Sequence, residues 1–88
     1  MIKIIQNKII LRGKMKNQIN IYQIVGSRIK QLRLQKGLTL KQISQKSGMS
    51  VYFLNKIEKG EVKSLTLFGT LKIANAMSVN IDDIFQDL

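Results

Sequence analysis

The chain has 88 residues, of which 44% are hydrophobic and 23% are charged, a balance typical of one soluble domain with a modest core. It contains no Cys and no His, which excludes disulfides, thiolate or imidazole metal sites and the usual nucleophile–histidine pairs of enzymes. No apolar run is long enough to span a bilayer or to form a signal-peptide core, so we expect a cytoplasmic protein.

The charged residues are distributed unequally along the chain. Fifteen Lys and Arg against five Asp and Glu give a net charge of +10. Residues 1–57 contain twelve of the basic residues and no acid, whereas residues 58–88 contain three Lys and five acids, a net charge of −2. This separation favours a surface for a polyanion such as nucleic acid. A basic, solvated face without such a partner would have the same composition.

Residues 1–24 have the weakest pattern. Ile19 and Ile21 alternate with polar residues after a turn-like segment at residues 12–14, which is typical of a weak hairpin. The segment also fits a basic arm that adds phosphate or minor-groove contacts, or an appendage without a defined function. A further reading takes Met15 as the natural start and residues 1–14 as an upstream extension. We therefore describe residues 1–24 as a basic N-terminal extension of open structure and residues 25–88 as the folded domain.

Two short helices are predicted after Val25. Val25, Ile29 and Leu32 share one helical face, and a glycine follows as a helix stop. Thr39 and Gln42 then have the spacing of a capping box at the start of a second helix. Arg33 lies at the edge of the first apolar face, and because burying an unpaired guanidinium is costly, it needs a carboxylate nearby.

A third helix is predicted between Gly48 and Gly60, with Ser50 as its cap. A short helix, a glycine turn and another short helix have the spacing of a helix-turn-helix. At 100° per residue the third helix directs Phe53, Leu54 and Ile57 inward. The outward side carries methyl, phenol, amide and ammonium groups that suit base edges and phosphates, on Val51, Tyr52, Asn55, Lys56 and Lys59.

Two further helices complete the pattern, the fourth capped by Thr66 and the fifth by Asn80. The apolar arc predicted for the fourth helix consists of Leu67, Thr70, Leu71, Ile73, Ala74 and Met77, and Phe68 points away from it. The fifth helix has an apolar stripe at Ile81, Ile84, Phe85 and Leu88. This stripe either closes the core or forms a two-fold dimer contact made by Phe68, Ile84, Phe85 and Leu88.

These segments also resemble a known family. VGSRIKQLRLQKGLTLKQISQKSGMSVYFLNKIEKG, followed by TLFGTLKIANAMSVNIDDIF, is similar to the lambda-repressor-like, Cro/C1-type (XRE family) helix-turn-helix domains over about residues 25–85. The similarity includes the GLT entry, the Gly48 turn, the IEKG ending and the final two helices. The resemblance implies an all-α bundle of five short helices that binds operator DNA, mostly as a dimer.

The resemblance also implies roles for single residues. Arg33 and Glu58 match a pair that ties the first helix to the third, and Ser50 matches a phosphate contact. The positions that contact base edges in the major groove are Val51, Tyr52, Asn55 and Lys56. Leu40 stands where many members carry a phosphate-bridging Gln. We therefore expect the DNA phosphates to be bound by the free N–H groups at helix starts and by Lys41, Lys46, Lys59 and Lys63.

We therefore expect a sequence-specific regulator of transcription that binds double-stranded DNA, a homodimeric repressor with helix 50–59 in the major groove of a pseudo-palindrome. The alternatives are a controller protein of a restriction–modification operon and an antitoxin whose partner is a protein toxin. No cofactor, metal site or membrane partner is expected. An enzyme is not expected either, because no second catalytic group lies beside the five acids.

Overall fold

The computed structural model describes residues 20–87, which form five helices and, within that range, no strand. The helices are α1 (Ile21–Gln35), α2 (Leu40–Ser47), α3 (Val51–Glu58), α4 (Leu67–Met77) and α5 (Ile81–Phe85). The expected all-α, five-helix bundle is confirmed. The predictions for residues 1–19 and for Leu88 lie outside the described residues. None of the helices in residues 20–87 has the length and apolar character needed to cross a membrane.

The helix ends follow local signals in the sequence. Thr39 and Gln42 form both bonds of the capping box at α2, and the side chains of Ser50 and Thr66 accept backbone N–H bonds at α3 and α4. Gly48 ends α2 in the left-handed conformation, with φ of 80°. The expected cap at α5 is wrong, because Asn80 stands at the cap position but its side chain makes no capping hydrogen bond.

The first helix starts earlier than the apolar pattern predicts. α1 begins at Ile21 rather than at Val25, since the side chain of Asn20 accepts the backbone N–H groups of Tyr22 at 2.9 Å and Gln23 at 3.3 Å. Residues 21–24 are therefore helical and do not belong to a hairpin strand.

The core is built from all five helices. α1 packs against α3 and α5, α2 packs against α3 and α4, and α4 packs against α5. The buried aliphatic side chains at the centre are Val25, Ile29, Ile43, Leu54, Ile57, Ile73, Met77 and Ile84. Because α3 is held mainly by α1 and α2, its opposite side stays open to solvent.

Three side chains expected to point inward are exposed: Phe53, Leu67 and Leu71. On α4 the buried positions are Gly69, Thr70, Ile73, Ala74, Ala76 and Met77. This buried face is shifted toward small residues, which let α2 and α5 approach closely, so the two leucines fall beyond the edge that the neighbouring helices cover. A helical wheel shows which residues share a face, but the partner helices decide how much of that face is buried.

Arg28 links α1 to α5 through hydrogen bonds. Its guanidinium donates hydrogen bonds to the backbone carbonyl oxygens of Ile84 at 3.2 Å and Gln86 at 2.8 Å, at the C-terminal end of α5. The carbonyls at a helix end lack intrahelical partners and carry partial negative charge, which a cation satisfies. Nothing in the sequence pattern of α1 indicated this role.

Replacing Arg28 with Met is expected to lower the free energy of unfolding by about 1–2 kcal/mol, because the stem is kept but two hydrogen bonds from a charged donor are lost. Urea denaturation followed by circular dichroism would measure the change. Lys30→Met removes a charge from an exposed position of the same helix and serves as the control, with a change within about 0.5 kcal/mol. Equal stability of the Arg28 variant and the wild type would contradict this role.

Candidate nucleic-acid interface

α3 is held in place by buried side chains on one face and by a side-chain cap at its first turn. Leu54 and Ile57 are buried in the core. The hydroxyl oxygen of Ser50 accepts the N–H of Phe53 at 3.0 Å. The short connection from α2 passes through the left-handed Gly48. These constraints fix which side of α3 faces out of the bundle.

The outward side of α3 carries all four residues that were predicted to contact bases. Tyr52 is 72% exposed, Val51 is exposed, and Asn55 and Lys56 are half-buried. The ammonium nitrogen of Lys56 lies 5.4 Å from the centre of the Tyr52 ring. The four side chains therefore share one accessible surface with methyl, phenol, amide and ammonium groups. Their contact with DNA stays a prediction.

The helix starts of α2 and α3 offer backbone N–H donors. In α2 the capping box takes up the N–H groups of Thr39, at 2.8 Å, and Gln42, at 3.1 Å. The N–H groups of Leu40 and Lys41 then have no acceptor within the helix. At α3 the Ser50 hydroxyl takes up the N–H of Phe53, and the N–H groups of Val51 and Tyr52 likewise have no acceptor within the helix. Donors of this kind, at the positive end of a helix dipole, are suited to phosphate oxygens.

The predicted phosphate contacts are all exposed, namely Ser50, Lys41, Lys46, Lys59 and Lys63. Lys41 and Lys46 lie in the first and last turns of α2, Lys59 follows α3, and Lys63 is in the loop before α4. Leu40, in contrast, is half-buried and packs against the core. This packing agrees with the absence of a phosphate-bridging side chain at that position.

Arg33 and Glu58 meet in a two-point contact that ties α1 to the end of α3. Arg33 Nε donates to Glu58 Oε2 at 2.7 Å and Arg33 Nη2 donates to Glu58 Oε1 at 3.1 Å. The side chains are only 11% and 5% exposed. Arg33 Nη1 also donates to the backbone oxygen of Leu38 at 2.9 Å, in the connection to α2. The pair neutralises the one acid of α3, so its charge does not oppose phosphate.

One of the four residues predicted to form a dimer contact is buried, and the contact itself stays a prediction. Ile84 is 0% exposed and belongs to the core, so its place in a dimer surface was wrong. Its side chain is enclosed because α5 packs against both α1 and α4. Phe68 is exposed and Phe85 is half-buried, whereas Leu88 lies outside the described residues.

Sequence reasoning missed a larger apolar surface beside Phe68. Leu67, Phe68 and Leu71 are exposed along α4, and Ile21 is exposed at the start of α1. Leu67 and Ile21 also line an open groove of about 200 Å³, together with Leu65 and Phe85. We call these four exposed residues, Ile21, Leu67, Phe68 and Leu71, the apolar surface. None of these four residues belongs to α3.

Acidic side chains do not assemble into a metal site in the part of the chain that the structure describes. Among residues 20–87 there is no group of three or more that could hold a metal ion. The carboxylate of Glu58 is paired with Arg33. Asp82 and Asp83 lie in the first turn of α5, where a negative charge interacts favourably with the positive end of the helix dipole.

Comparison with known proteins gives a consistent result. A family model described as helix-turn-helix (HTH_3) matches residues 29–84, more than half of the chain. An uncharacterised HTH-type transcriptional regulator, y4dJ of Sinorhizobium fredii, is 31% identical over 62 residues, which cover 70% of this chain and 79% of the relative.

Solved structures share the fold. The restriction–modification controller protein C.AhdI of Aeromonas hydrophila superposes with a TM-score of 0.70 at 25% identity, over 76% of this chain and all of C.AhdI. An HTH_3 family regulator of Vibrio cholerae has a TM-score of 0.69 at 28% identity, covering 76% of this chain and 38% of that one. The regulator ClgR of C. glutamicum, at 20% identity and a TM-score of 0.73 over 77% and 87% of the two chains, supports the fold alone. The chain therefore belongs to the HTH_3 family of helix-turn-helix proteins of Cro/C1 type.

Proposed function

We propose that the protein is a sequence-specific regulator of transcription, a homodimeric repressor that inserts α3 into the major groove of double-stranded DNA. The observation that carries the proposal is the two-sided character of α3. Leu54 and Ile57 are buried, while Tyr52, Asn55 and Lys56 share the open side. Two of them can act on a base edge, because the Asn55 amide can pair with adenine through two hydrogen bonds and the Lys56 ammonium can donate to guanine O6 and N7.

The distribution of charge supports this orientation. Residues 20–57, which contain α1, α2 and most of α3, hold seven Lys and Arg and no acid. Three of the five acids follow Asn80, and α5 packs mainly against α1 and α4 rather than against α3. A phosphate backbone that approaches α2 and α3 therefore meets lysines and helix N-termini, with the acids of α5 kept away from it.

The names of the relatives agree with a regulatory role, since they include transcriptional regulators and a restriction–modification controller protein. A controller of a restriction–modification operon is the second candidate. One observation favours it: the superposition covers all of C.AhdI, although it covers 76% of this chain. Both candidates require the same binding of operator DNA, and they differ only in the genes under control.

The proposal is tested by selecting bound sequences from a random duplex library and measuring the affinity for the selected duplex against salt concentration. If each protomer neutralises about five phosphates, the plot of log K against log salt should have a slope of roughly −9 for a dimer. The selected sequences should also contain two related half-sites about one helical turn apart. A slope near zero, or the absence of any selected sequence, would overturn the proposal.

The roles of single residues are expected to separate in the same assay. Asn55→Ala and Lys56→Ala should each lose about 1–3 kcal/mol of discrimination at one or two base pairs. Lys46→Ala should instead weaken binding to all sequences alike and make the slope less negative by about 2 per dimer. Lys72→Ala removes the same charge from α4 and serves as the control with an unchanged slope. Identical profiles for the variants at 46, 55 and 56 would contradict these roles.

The apolar surface is the dimer contact that we propose, in place of the stripe on α5. Leu67→Ser should raise the dissociation constant of the dimer by roughly tenfold or more, because a two-fold axis buries the side chain twice. Leu34→Ser is the matched control, since Leu34 is 58% exposed and Leu67 is 66% exposed, but Leu34 lies at the other end of α1 from Ile21. Sedimentation equilibrium measures both variants. Equal effects would show that the surface makes no specific contact.

A further inference from the structure

The exposed ring of Tyr52 lies beside a lysine side chain on the surface of α3. Its ring is 72% exposed, so the core does not hold it in place. Lys56 lies one helical turn further along α3, and its ammonium nitrogen is 5.4 Å from the centre of the Tyr52 ring. A lysine cation over an aromatic face at this distance is attracted by the negative potential of the ring.

The surroundings make the ring the effective partner of this cation. The acid nearest to Lys56 in the sequence is Glu58, and its carboxylate already accepts two hydrogen bonds from Arg33. A free Lys side chain has four rotatable bonds and many conformations to lose when it binds. Contact with the ring restricts the Lys56 ammonium to the outer side of α3 before any ligand arrives.

We propose that Tyr52 is a positioning residue for Lys56, so that the base preference of Lys56 depends on the Tyr52 ring. The inference rests on the proposed function and deepens it. An ammonium group has three N–H donors, and the contact with the ring uses the side that faces it. The donors on the opposite side stay available for guanine O6 and N7. The phenol hydroxyl has no part in this role.

The test compares wild type, Tyr52→Phe, Tyr52→Leu, Lys56→Met and the double variant Tyr52→Leu/Lys56→Met. Each binds the selected duplex and a panel of duplexes altered at one base pair at a time. Tyr52→Leu should lower discrimination by about two- to fivefold, the size of an exposed cation–π contact, at the same base pair as Lys56→Met. The double variant should lose no more than Lys56→Met alone, and Tyr52→Phe, which keeps the ring, should keep the discrimination at the Lys56 base pair.

A second readout is independent of DNA. In the proton NMR spectrum of the free protein, the ring current should shift the Lys56 ε-methylene protons upfield in wild type and Tyr52→Phe, but not in Tyr52→Leu. Phe68→Leu is the matched control. On α4 the ammonium nitrogen of Lys72 lies 5.8 Å from the centre of the Phe68 ring, and the two residues are also one helical turn apart. That variant should remove the corresponding shift of Lys72 and leave the shift of Lys56 unchanged.

The outcomes separate the inference from the proposed function. A wild-type protein without any sequence preference would overturn both. A preference that Tyr52→Leu leaves intact would overturn only the inference, as would additive effects of the two substitutions at different base pairs. Loss of preference in Tyr52→Phe equal to that in Tyr52→Leu would show that the hydroxyl itself contacts DNA, and would also overturn it. The absence of an upfield shift of the Lys56 ε-methylene protons in wild type would also overturn the inference.

Discussion

Replacing Gly26 with Ala is expected to lower the free energy of unfolding by about 3 kcal/mol, because α1 and α3 cross at this residue. A β-carbon at position 26 would overlap the backbone carbonyl oxygen of Ile57 and lie 3.1 Å from the carbonyl carbon of Glu58. These are backbone atoms, so no side-chain rotation relieves the overlap and α3 must move away from α1. Since α3 carries the proposed DNA surface, affinity for the selected duplex should fall as well.

Gly69→Ala is the matched control for this prediction. Gly69 is also buried and helical, but a β-carbon there would meet only side-chain atoms at ordinary distances: Thr66 Oγ1 at 3.4 Å, Leu65 Cδ1 at 3.5 Å and Met49 Cε at 3.5 Å. The substitution reduces the freedom of the unfolded chain and should stabilise the protein by about 0.5–1 kcal/mol. Urea denaturation of both variants gives the comparison. Similar losses at the two positions would contradict the close crossing of α1 and α3.

The sequence predicted features that depend on neighbours along the chain. The capping box of Thr39 and Gln42 and the glycine stop at Gly48 use bonds within one turn of helix, so their spacing is sufficient evidence. The two sides of α3 were also predictable, apart from Phe53, because alternation between core and solvent repeats with the helical period. The fold followed from these signals together with the family resemblance.

The features that the sequence did not predict depend on contacts between distant segments. No sequence pattern gave Gly26 a role, whereas the structure shows that α3 crosses α1 at this residue. Arg28 bonds to backbone oxygens of residues 84 and 86, and backbone acceptors leave no trace in residue identity. The burial of Ile84 and the exposure of Leu67 follow from which helices pack against α4 and α5. The periodicity of a single helix does not contain that information.

Removing one member of the Arg33–Glu58 pair is expected to have the largest effect on stability. Glu58→Leu should cost about 3–5 kcal/mol, because it leaves a guanidinium that is 11% exposed without its carboxylate. Arg33→Met should cost a similar amount, since it leaves the buried carboxylate unpaired. Glu61→Leu, at an exposed acid near the end of the same helix, is the control and should change stability by less than about 0.5 kcal/mol.

The double variant Arg33→Met/Glu58→Leu should be far more stable than the sum of the two losses implies, because no buried charge is left unpaired. A residual cost of about 1 kcal/mol is expected, since the backbone oxygen of Leu38 loses the hydrogen bond from Arg33 Nη1. Chemical denaturation of the four proteins measures the coupling. Additive losses would mean that the two residues act independently, in which case the ion pair does not hold α3 against α1.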